Sequence, residues 1–310
     1  MSRLLLVGGN GQLGRELRRS LAPLGEVVAT TRDGRLHDGG QAIAADLDSP
    51  GRLAEVVREV APDAVINAAA YTAVDKAESE PEAAFRINGE APGALARACA
   101  AAGIPLVHYS TDYVFDGSGT RPYREDDPTA PLGTYGASKL AGEQAIRAAG
   151  GRHLVFRTAW VYAAHSHNFL RTMLRLGAER DELRVVADQV GTPTPAALIA
   201  EVTAVALRRA LDDAAVGGTW HLVAAGHTSW HGFAEAIFAE AVEAGLLPRA
   251  PRVQAITTAE FPTPARRPAY SCLDTTALRR DFAVALPHWR DALLPVIAAL
   301  AAERAAAPAA

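Results

Sequence analysis

The stretch that decides the fold is residues 3–14, RLLLVGGNGQLG, in which an apolar run meets a glycine-rich turn. The apolar run predicts a buried strand, and the residues that follow have the spacing of a helix over 11–24. Glycines leave room for a phosphate to approach the backbone, and the start of the helix offers free N–H groups and a partial positive charge. A turn of this kind at the first strand–helix junction predicts a dinucleotide-binding site.

Strand and helix patterns continue to alternate through the first half of the chain. The further strands predicted there are 26–31, 64–67, 104–110 and 153–158, and the helices are 51–60, 81–102 and 134–149. Apolar strands separated by helices are typical of a parallel sheet covered on both faces, and right-handed crossovers make such a sheet doubly wound. The second half is less regular, with strands predicted at 183–186 and 219–223 and helices at 195–211 and 230–244.

We therefore predict an α/β fold: a Rossmann-like doubly wound parallel sheet with a smaller α/β substrate-binding lobe. The predicted dinucleotide-binding domain covers 1–160, and parts of 183–223 return to it. The substrate-binding lobe lies mainly in 161–300 and is interleaved with the first domain, and 301–310 form a tail. No low-complexity linker separates the two parts.

Composition narrows the class of protein. The 310 residues are 49% hydrophobic and 21% charged, which is the balance of a soluble globular protein. A net charge of −4 without any block of like charge argues against a nucleic-acid partner. We expect a cytoplasmic protein without a membrane partner, because no signal peptide and no run of about 20 apolar residues is found. Cys99 and Cys272 lack companions at metal-ligand spacing, which argues against zinc.

The end of the second strand bears on which dinucleotide binds. It reads Ala29-Thr30-Thr31-Arg32, whereas an NAD-preferring site usually has an acidic residue there for the ribose 2′-hydroxyl. Arg32 suits a 2′-phosphate, so the sequence favours NADPH and leaves NADH open; a solvated loop arginine is the alternative interpretation of Arg32.

Tyr135 and Lys139 lie four residues apart in a predicted helix, so their side chains share one face. Lys139 is one of only two lysines among 31 basic residues, which makes a chance pairing rare. A neighbouring ammonium group lowers the pKa of a tyrosine towards values useful for proton transfer. Thr111 follows the predicted strand 104–110, at the sheet edge where ligands bind in open α/β folds. We expect its hydroxyl to meet a substrate carbonyl, unless it only forms a local turn.

These motifs together resemble the extended short-chain dehydrogenase/reductase superfamily and, within it, the dTDP-4-dehydrorhamnose reductases. The most specific segments are NAAAYTAVDKAE (67–78) and STDYVFDG (110–117), and YGASKLAGE (135–143) and DQVGTPT (188–194) extend the likeness. The resemblance implies an NADPH-dependent reductase of a small-molecule nucleotide sugar. Its reaction would reduce the C4 keto group of dTDP-4-dehydro-6-deoxy-L-mannose to give dTDP-L-rhamnose, for cell-surface polysaccharide synthesis.

The resemblance also implies roles for individual residues. Tyr135 would donate a proton to the C4 oxygen, Lys139 would hold the cofactor ribose and tune Tyr135, and Thr111 would complete the triad. The predicted cofactor-binding residues, from the glycine turn and from the resemblance, are Gly8, Gly11, Gln12, Leu13, Gly14, Arg32, Asp46, Leu47, Ala68, Ala69, Ala70, Tyr135 and Lys139. The predicted substrate-binding residues are Thr111, Asp112, Trp160, Asn168 and Arg267.

Two of these residues also have simpler interpretations. Trp160 fits a core or lobe-interface aromatic as well as a substrate contact. Arg266 and Arg267 stand in a proline-rich loop, where they would supply the charge-assisted contacts that a diphosphate needs on a protein of negative net charge. A solvent-facing arginine pair is the other interpretation of this loop.

Several functions stay open on sequence alone. A reductase of another dTDP-4-keto-6-deoxy sugar would share the triad, and so would a non-catalytic NADP-binding regulatory subunit like that of methionine adenosyltransferase. A 4,6-dehydratase is disfavoured, because Tyr113 stands where its second acid, a glutamate, would follow Asp112. The resemblance also leaves open a homodimer and a Mg²⁺ ion, for which Glu16 is the one candidate acid; no metal ligand set is predicted.

Overall fold

The computed structural model describes residues 2–306. Its strands are β1 (Ser2–Val7), β2 (Gly25–Thr31), β3 (Ile43–Ala44), β4 (Ala64–Asn67), β5 (Leu106–Thr111), β6 (His153–Thr158), β7 (Val161–Tyr162), β8 (Glu182–Val186), β9 (Val190–Gly191), β10 (Thr194–Pro195), β11 (Gly218–His221), β12 (Thr228–Ser229) and β13 (Arg252–Ile256). Its α-helices are α1 (Gln12–Leu21), α2 (Pro50–Val60), α3 (Val74–Ala77), α4 (Pro81–Phe85), α5 (Ala91–Ala102), α6 (Thr134–Ala148), α7 (Phe169–Glu179), α8 (Ala196–Asp212), α9 (Trp230–Glu243), α10 (Thr276–Phe282) and α11 (Trp289–Ala306).

Seven parallel strands form the central sheet, in the order β11-β6-β5-β4-β1-β2-β3. The chain runs outward from β1 through β2 to β3, and then returns to place β4 on the other side of β1. This reversal opens a crevice at the carboxyl ends of β1 and β4, where doubly wound folds bind their ligands. The predicted Rossmann-like fold class is confirmed.

The first strand shows why its sequence is apolar throughout. Leu4 and Leu6 face one side of the sheet and pack with α1 and α8, whereas Leu5 and Val7 face the other side and pack with α2 and α5. The three leucines are 0% exposed, and burying such a side chain contributes about 1.5–3 kcal/mol. Because helices cover both faces, the alternation of apolar and polar residues is absent here.

The prediction of one continuous helix over 81–102 is wrong in its middle. The structure divides this stretch into α4, a π-helical turn at Arg86–Glu90, and α5. Pro92 stands in the first turn of α5 and has no N–H group, so it cannot continue the regular hydrogen-bond ladder. The carbonyl oxygen of Asn88 also lies so close to α6 that a Cβ at Gly142 would overlap it. The π-helical turn therefore sits where the catalytic helix α6 packs.

The second half contains three two-stranded sheets outside the central sheet, β8–β13, β9–β12 and β7–β10, and we call this part the smaller lobe. Two other elements of the second half belong to the larger core: β11 lies at the edge of the central sheet, and α8 packs with α1. The predicted tail is helical through Ala306, and 307–310 lie outside the described residues. Across residues 2–306, none of the helices combines the length and the apolarity that crossing a bilayer requires.

Candidate functional site

The glycine-rich turn joins β1 to α1 and shows why two of its residues must be glycine. Gly8 has a φ of +91°, and a Cβ there would lie 2.7 Å from Cβ of Ala69. A Cβ at Gly14 would overlap the carbonyl oxygen of Gly8, so this glycine allows α1 to pack against the turn. Gly11 begins the helix without a side-chain hydrogen bond to its first turn. Such an uncapped helix N-terminus is suited to an anion.

A cleft of ≈ 670 Å³ opens beside this turn. It gathers seven of the predicted cofactor-binding residues: Gly8, Gly11, Arg32, Asp46, Leu47, Ala69 and Ala70. Of the others, Gln12, Leu13 and Gly14 lie in the first turn of α1, and Ala68 follows β4. The grouping places these residues at the crevice between β1 and β4, and their individual contacts with a cofactor stay predictions.

Sequence reasoning missed six polar residues that line the same cleft. Asn10 donates to the carbonyl oxygen of Arg35 (2.9 Å) and accepts from the backbone N–H of His37 (3.0 Å), so it ties the glycine turn to the loop after β2. The other five are Thr31, Asp33, His37, Tyr71 and Thr72. An asparagine between two glycines was the one available signal, since that residue type often bonds to backbone groups of loops.

Arg32 lies at the open end of the cleft. Its Nε is 3.4 Å from Oδ2 of Asp46, and its side chain is 87% exposed. An exposed ion pair of this kind contributes little to stability, so the guanidinium is free to turn towards a ligand. The Asp33 carboxylate faces the same cleft and accepts from the Thr31 hydroxyl (3.1 Å). The cleft thus offers both signs of charge where a dinucleotide's adenosine ribose is expected.

The predicted triad assembles from two elements. Thr111 ends β5, and Tyr135 and Lys139 lie on consecutive turns at the start of α6. The hydroxyl of Thr111 donates to Oδ1 of Asp112 (2.9 Å) and accepts from the backbone N–H of Tyr113 (3.2 Å). Burial of the Tyr135 hydroxyl raises its pKa above the usual value of about 10, and the neighbouring Thr111 hydroxyl opposes this rise. The pKa of Tyr135 is thus raised and not lowered as expected from Lys139, so Tyr135 keeps its proton at neutral pH.

Lys139, the third member of the triad, is buried, with 2% of its surface exposed. Its Nζ donates to the carbonyl oxygen of Tyr109 (2.6 Å) and lies 3.4 Å from Nε2 of His108. Burial lowers the pKa of Lys139 to about 8, although the charge of Glu143 one turn along α6 opposes the shift. An amine with this pKa can hold or release a proton close to neutral pH.

Asp112 is a third ionisable group at this site, beside Tyr135 and Lys139. It is 2% exposed, and its Oδ2 makes no hydrogen bond within the described residues. Burial raises the pKa of Asp112 to about 6. A buried carboxylate oxygen without a partner is costly unless a ligand supplies one, which is consistent with the predicted substrate contact.

Trp160 and Arg267 each contact an aromatic side chain near the triad. Trp160 stacks on Trp230 with ring centroids 3.5 Å apart, and it adopts a φ of +49°. Arg267 donates to Oδ2 of Asp75 (2.7 Å) and to the hydroxyl of Tyr113 (3.4 Å). The Tyr113 ring in turn packs edge-on against Tyr135, with centroids 5.6 Å apart.

A second cavity of ≈ 660 Å³ lies in the smaller lobe between α7, β8 and β13. Leu176, Val185 and Phe261 give it apolar walls, and Arg180 and Arg184 are basic groups on its lining; Arg267 lines it as well. Apolar surface beside arginines suits a nucleotide, since the base needs apolar contact and the phosphates need cations. Arg266 is exposed and is not among the lining residues.

Two other predicted residues have clear structural contacts. Asn168 caps α7: its Oδ1 accepts from the backbone N–H of Arg171 (3.1 Å), and its Nδ2 donates to the carbonyl oxygen of Ala163 (2.8 Å). Glu16 accepts from Nε2 of His165 (2.9 Å) and pairs with Arg19. Within residues 2–306, no group of three or more His, Cys, Asp or Glu side chains is placed to hold a metal ion. The substrate role of Asn168 and the metal role of Glu16 stay predictions.

The functional elements are also fixed by residues that the sequence did not single out. Glu78 accepts from both the backbone N–H (2.8 Å) and the hydroxyl (3.1 Å) of Thr134, and thereby caps the start of α6. Asn88 donates to the hydroxyl of Ser138 (3.0 Å), and that hydroxyl donates to the carbonyl oxygen of Tyr135 (2.8 Å). These bonds orient the helix that carries the tyrosine and the lysine.

Known proteins resemble this chain over nearly its whole length. The family model described as RmlD substrate binding domain matches residues 2–302. A protein named dTDP-4-dehydrorhamnose reductase from Burkholderia thailandensis is 52% identical over 297 residues, which cover 94% of this chain and 96% of that protein.

Two solved structures extend the likeness to three dimensions. A dTDP-4-dehydrorhamnose reductase from Clostridium acetobutylicum superposes with a TM-score of 0.85 at 37% identity, covering 96% of this chain and 99% of that chain. A dTDP-4-dehydrorhamnose reductase from Bacillus anthracis, solved in complex with NADP, superposes with a TM-score of 0.84 at 34% identity and covers 95% and 98%.

Proposed function

Because this chain belongs to the family described as RmlD substrate binding domain, we propose that it is an NADPH-dependent dTDP-4-dehydrorhamnose reductase. Its reaction reduces the C4 keto group of dTDP-4-dehydro-6-deoxy-L-mannose and yields dTDP-L-rhamnose. The observation that carries the proposal is the triad of Thr111, Tyr135 and Lys139, which connects to the lobe cavity through Tyr113 and Arg267.

The residues of the glycine-turn cleft fit a dinucleotide. Cβ atoms at Gly8 and Gly14 would fill the space against Ala69 and the turn, and the uncapped start of α1 suits a pyrophosphate. Bound there, NADPH supplies a hydride for C4 of the sugar. Gly11, Gln12 and Leu13 would hold the pyrophosphate, and Lys139 the nicotinamide ribose.

The chain's own residues handle the proton and the position of the sugar. Tyr135 keeps its proton at neutral pH because burial raises its pKa, so it is ready to donate to the C4 oxygen as negative charge develops there. Thr111 adds a hydroxyl at the same carbonyl, and the free oxygen of Asp112 accepts from a sugar hydroxyl. Arg267 neutralises the diphosphate at the edge of the lobe cavity.

A coupled assay tests this function. The dTDP-4-keto-6-deoxy-L-sugar is generated in situ, purified protein is added with NADPH or NADH, and both nicotinamide absorbance and the product sugar are followed. Cofactor oxidation with dTDP-L-rhamnose as the product is the expected result. Tight NADPH binding without turnover would contradict it, and would favour another keto sugar or the regulatory-subunit function.

Arg32→Asp tests the preference between the two cofactors. We expect the KM for NADPH to rise at least tenfold and the KM for NADH to stay nearly unchanged. A charge-assisted hydrogen bond to a phosphate contributes about 1.5–3 kcal/mol, and about 1.4 kcal/mol corresponds to tenfold. Arg35→Asp is the matched control, since Arg35 is exposed in the same loop and does not line the cleft. Equal effects of Arg32→Asp on both cofactors would contradict the assignment.

Arg267→Met tests the diphosphate contact. The KM for the sugar nucleotide should rise about 10- to 100-fold, because the lost charge-assisted hydrogen bonds contribute about 1.5–3 kcal/mol. Arg266→Met provides the control, because its side chain is exposed next to Arg267 and away from the cavity. The two KM values are measured in the coupled assay, and similar values for both variants would remove Arg267 from the site.

A further inference from the structure

Three buried side chains form a hydrogen-bonded row that ends at Lys139 of the triad. Asn67 ends β4, His108 lies in β5 and Lys139 in α6, and they are 1%, 0% and 2% exposed. Nδ2 of Asn67 lies 3.2 Å from Nδ1 of His108, and Nε2 of His108 lies 3.4 Å from Nζ of Lys139. The row has no access to water, so an N–H group in it that lacks an acceptor within the protein is costly.

The amide of Asn67 determines which atoms donate and which accept along the row. The backbone N–H of Ala69 donates to Oδ1 of Asn67 (3.2 Å), so the amide must turn its Nδ2 towards His108. Nδ1 of His108 therefore accepts, and the single proton of the neutral ring is on Nε2. The opposite arrangement would turn Asn67 around and bring its NH₂ group against the N–H of Ala69, with two donors facing each other.

His108 stays neutral, so the position of its single ring proton decides whether Lys139 faces a donor or an acceptor. Burial and the neighbouring charge of Lys139 lower the pKa of His108 well below its usual range. The Nε2–H of His108 thus points at Nζ of Lys139. An ammonium has three donors and no acceptor, so the Nε2–H opposes the charged form of Lys139. A neutral amine has a lone pair that accepts this hydrogen. One of the two N–H groups of the amine donates to the carbonyl oxygen of Tyr109.

We propose that His108 is a positioning residue whose Nε2–H stabilises the amine left behind when Lys139 gives a proton to Tyr135. This inference rests on the proposed function. In ketone reduction Tyr135 ends each turnover as a phenolate, and the step that restores it breaks an N–H bond of Lys139 and forms the O–H bond of Tyr135. The ammonium becomes an amine, and it regains its proton from solvent before the next turnover.

The charged groups around Lys139 do not cancel the stabilisation of its amine form by His108. Glu143 on the same helix is paired with Arg157 of β6, Asp112 stands beyond the end of β5, and Tyr135 is the reaction partner itself. The charged side chains of α3, α4 and α5 are at least partly exposed. His108 is therefore the neutral group in direct contact with Nζ that favours the amine form, and it acts together with burial.

Wild-type protein tests the row without any substrate. Long-range ¹H–¹⁵N spectra of the histidine rings report the tautomer, and the signal missing from His108→Gln identifies His108 among the nine histidines. Protein labelled with ¹³C at lysine Cε gives only two lysine signals, which Lys76→Arg assigns. We expect a proton on Nε2 of His108 and a Lys139 midpoint near pH 8, below that of Lys76. A proton on Nδ1, or a midpoint near that of an ordinary lysine, about 10.4, would overturn the proposal.

Variants then test the direction of the row. Asn67→Asp replaces the donor to Nδ1 by an acceptor, so the proton should move to Nδ1, Nε2 should accept from Lys139, and the Lys139 midpoint should rise by more than one unit. Asn67→Asp combined with His108→Leu carries the same added charge without the ring, and we expect a smaller rise. His108→Gln can keep a donor facing Nζ and should stay within half a unit of wild type. Equal midpoints in the single and double variants would overturn the role of His108.

The same variants separate this role from general structural support. The alkaline limb of the kcat–pH profile should follow the Lys139 midpoint from variant to variant, whereas a structural defect would lower kcat without moving the limb. Because the spectra need no sugar substrate, they stand even if the coupled assay identifies a different keto sugar. Failure of the proposed function and failure of this inference are thus seen in different measurements.

Discussion

Replacing Tyr135 by phenylalanine is expected to lower kcat by about 100- to 10,000-fold, which is the usual contribution of a positioned general acid. The ring and its edge-on packing against Tyr113 are kept, so the affinity for NADPH should change little. Only the hydroxyl is lost, and its raised pKa is what keeps the proton on Tyr135 at neutral pH.

Tyr113→Phe is the matched control for this prediction. Its ring contacts Tyr135, yet its hydroxyl makes only a long bond of 3.4 Å from Arg267, so we expect kcat to fall by less than tenfold. Single-turnover measurements with saturating cofactor isolate the chemical step. Retention of more than a tenth of the wild-type kcat by Tyr135→Phe would show that another group donates the proton.

Glu143→Gln is expected to lower the free energy of unfolding by about 3–5 kcal/mol, the cost of leaving a buried charge without its partner. Glu143 and Arg157 have side chains 0% and 4% exposed. They share two hydrogen bonds, from Nε to Oε1 (2.9 Å) and from Nη2 to Oε2 (2.8 Å). Urea unfolding of the purified variant measures the loss.

Two controls distinguish the buried pair from ion pairs in general. Glu179→Gln removes an exposed pair with Arg175 on α7, and it should change the free energy of unfolding by less than about 0.5 kcal/mol. Glu143→Met combined with Arg157→Met removes both charges and should cost less than Glu143→Gln, because no unpaired charge remains. A double variant less stable than the single one would contradict this account.

The pH dependence of this stability has a definite sign. Hydrogen bonds and charge from Arg157 lower the pKa of Glu143 against the opposing effect of burial. A lowered pKa stabilises the folded protein above the unfolded value of about 4.3, and the contribution is lost as the pH falls through the folded-state pKa. Wild type and Glu143→Gln should therefore converge in stability below pH 4.

Much of the site was accessible from the sequence because its geometry is local. Helical spacing alone places Tyr135 and Lys139 on one face of α6, and the end of β5 places Thr111 at the carboxyl edge of the sheet. The glycine turn likewise lies within one strand–helix junction. Short segments of regular backbone fix such arrangements without reference to the rest of the fold.

Contacts between residues far apart in the sequence could not be predicted in this way. His108 looked like one more residue of a buried strand, although it lies between Asn67 and Lys139, which are 41 positions before it and 31 after it. The π-helical turn at Arg86–Glu90 was also missed, since it is a single-turn variation inside a stretch that is otherwise helical. The capping of α7 by Asn168 was missed as well, and its predicted substrate contact stays a prediction.

The sequence by itself determined the alternation of strands and helices in the first half, the glycine turn and the places of Thr111, Tyr135 and Lys139 on their elements, because each depends on residues close together along the chain. Only the tertiary structure decided which buried polar groups meet across elements. The crossing of β4, β5 and α6 aligns Asn67, His108 and Lys139, and the packing of α6 on β6 joins Glu143 to Arg157. Hydrogen bonds act over about 3 Å, so these contacts exist only once the sheet and its helices have packed.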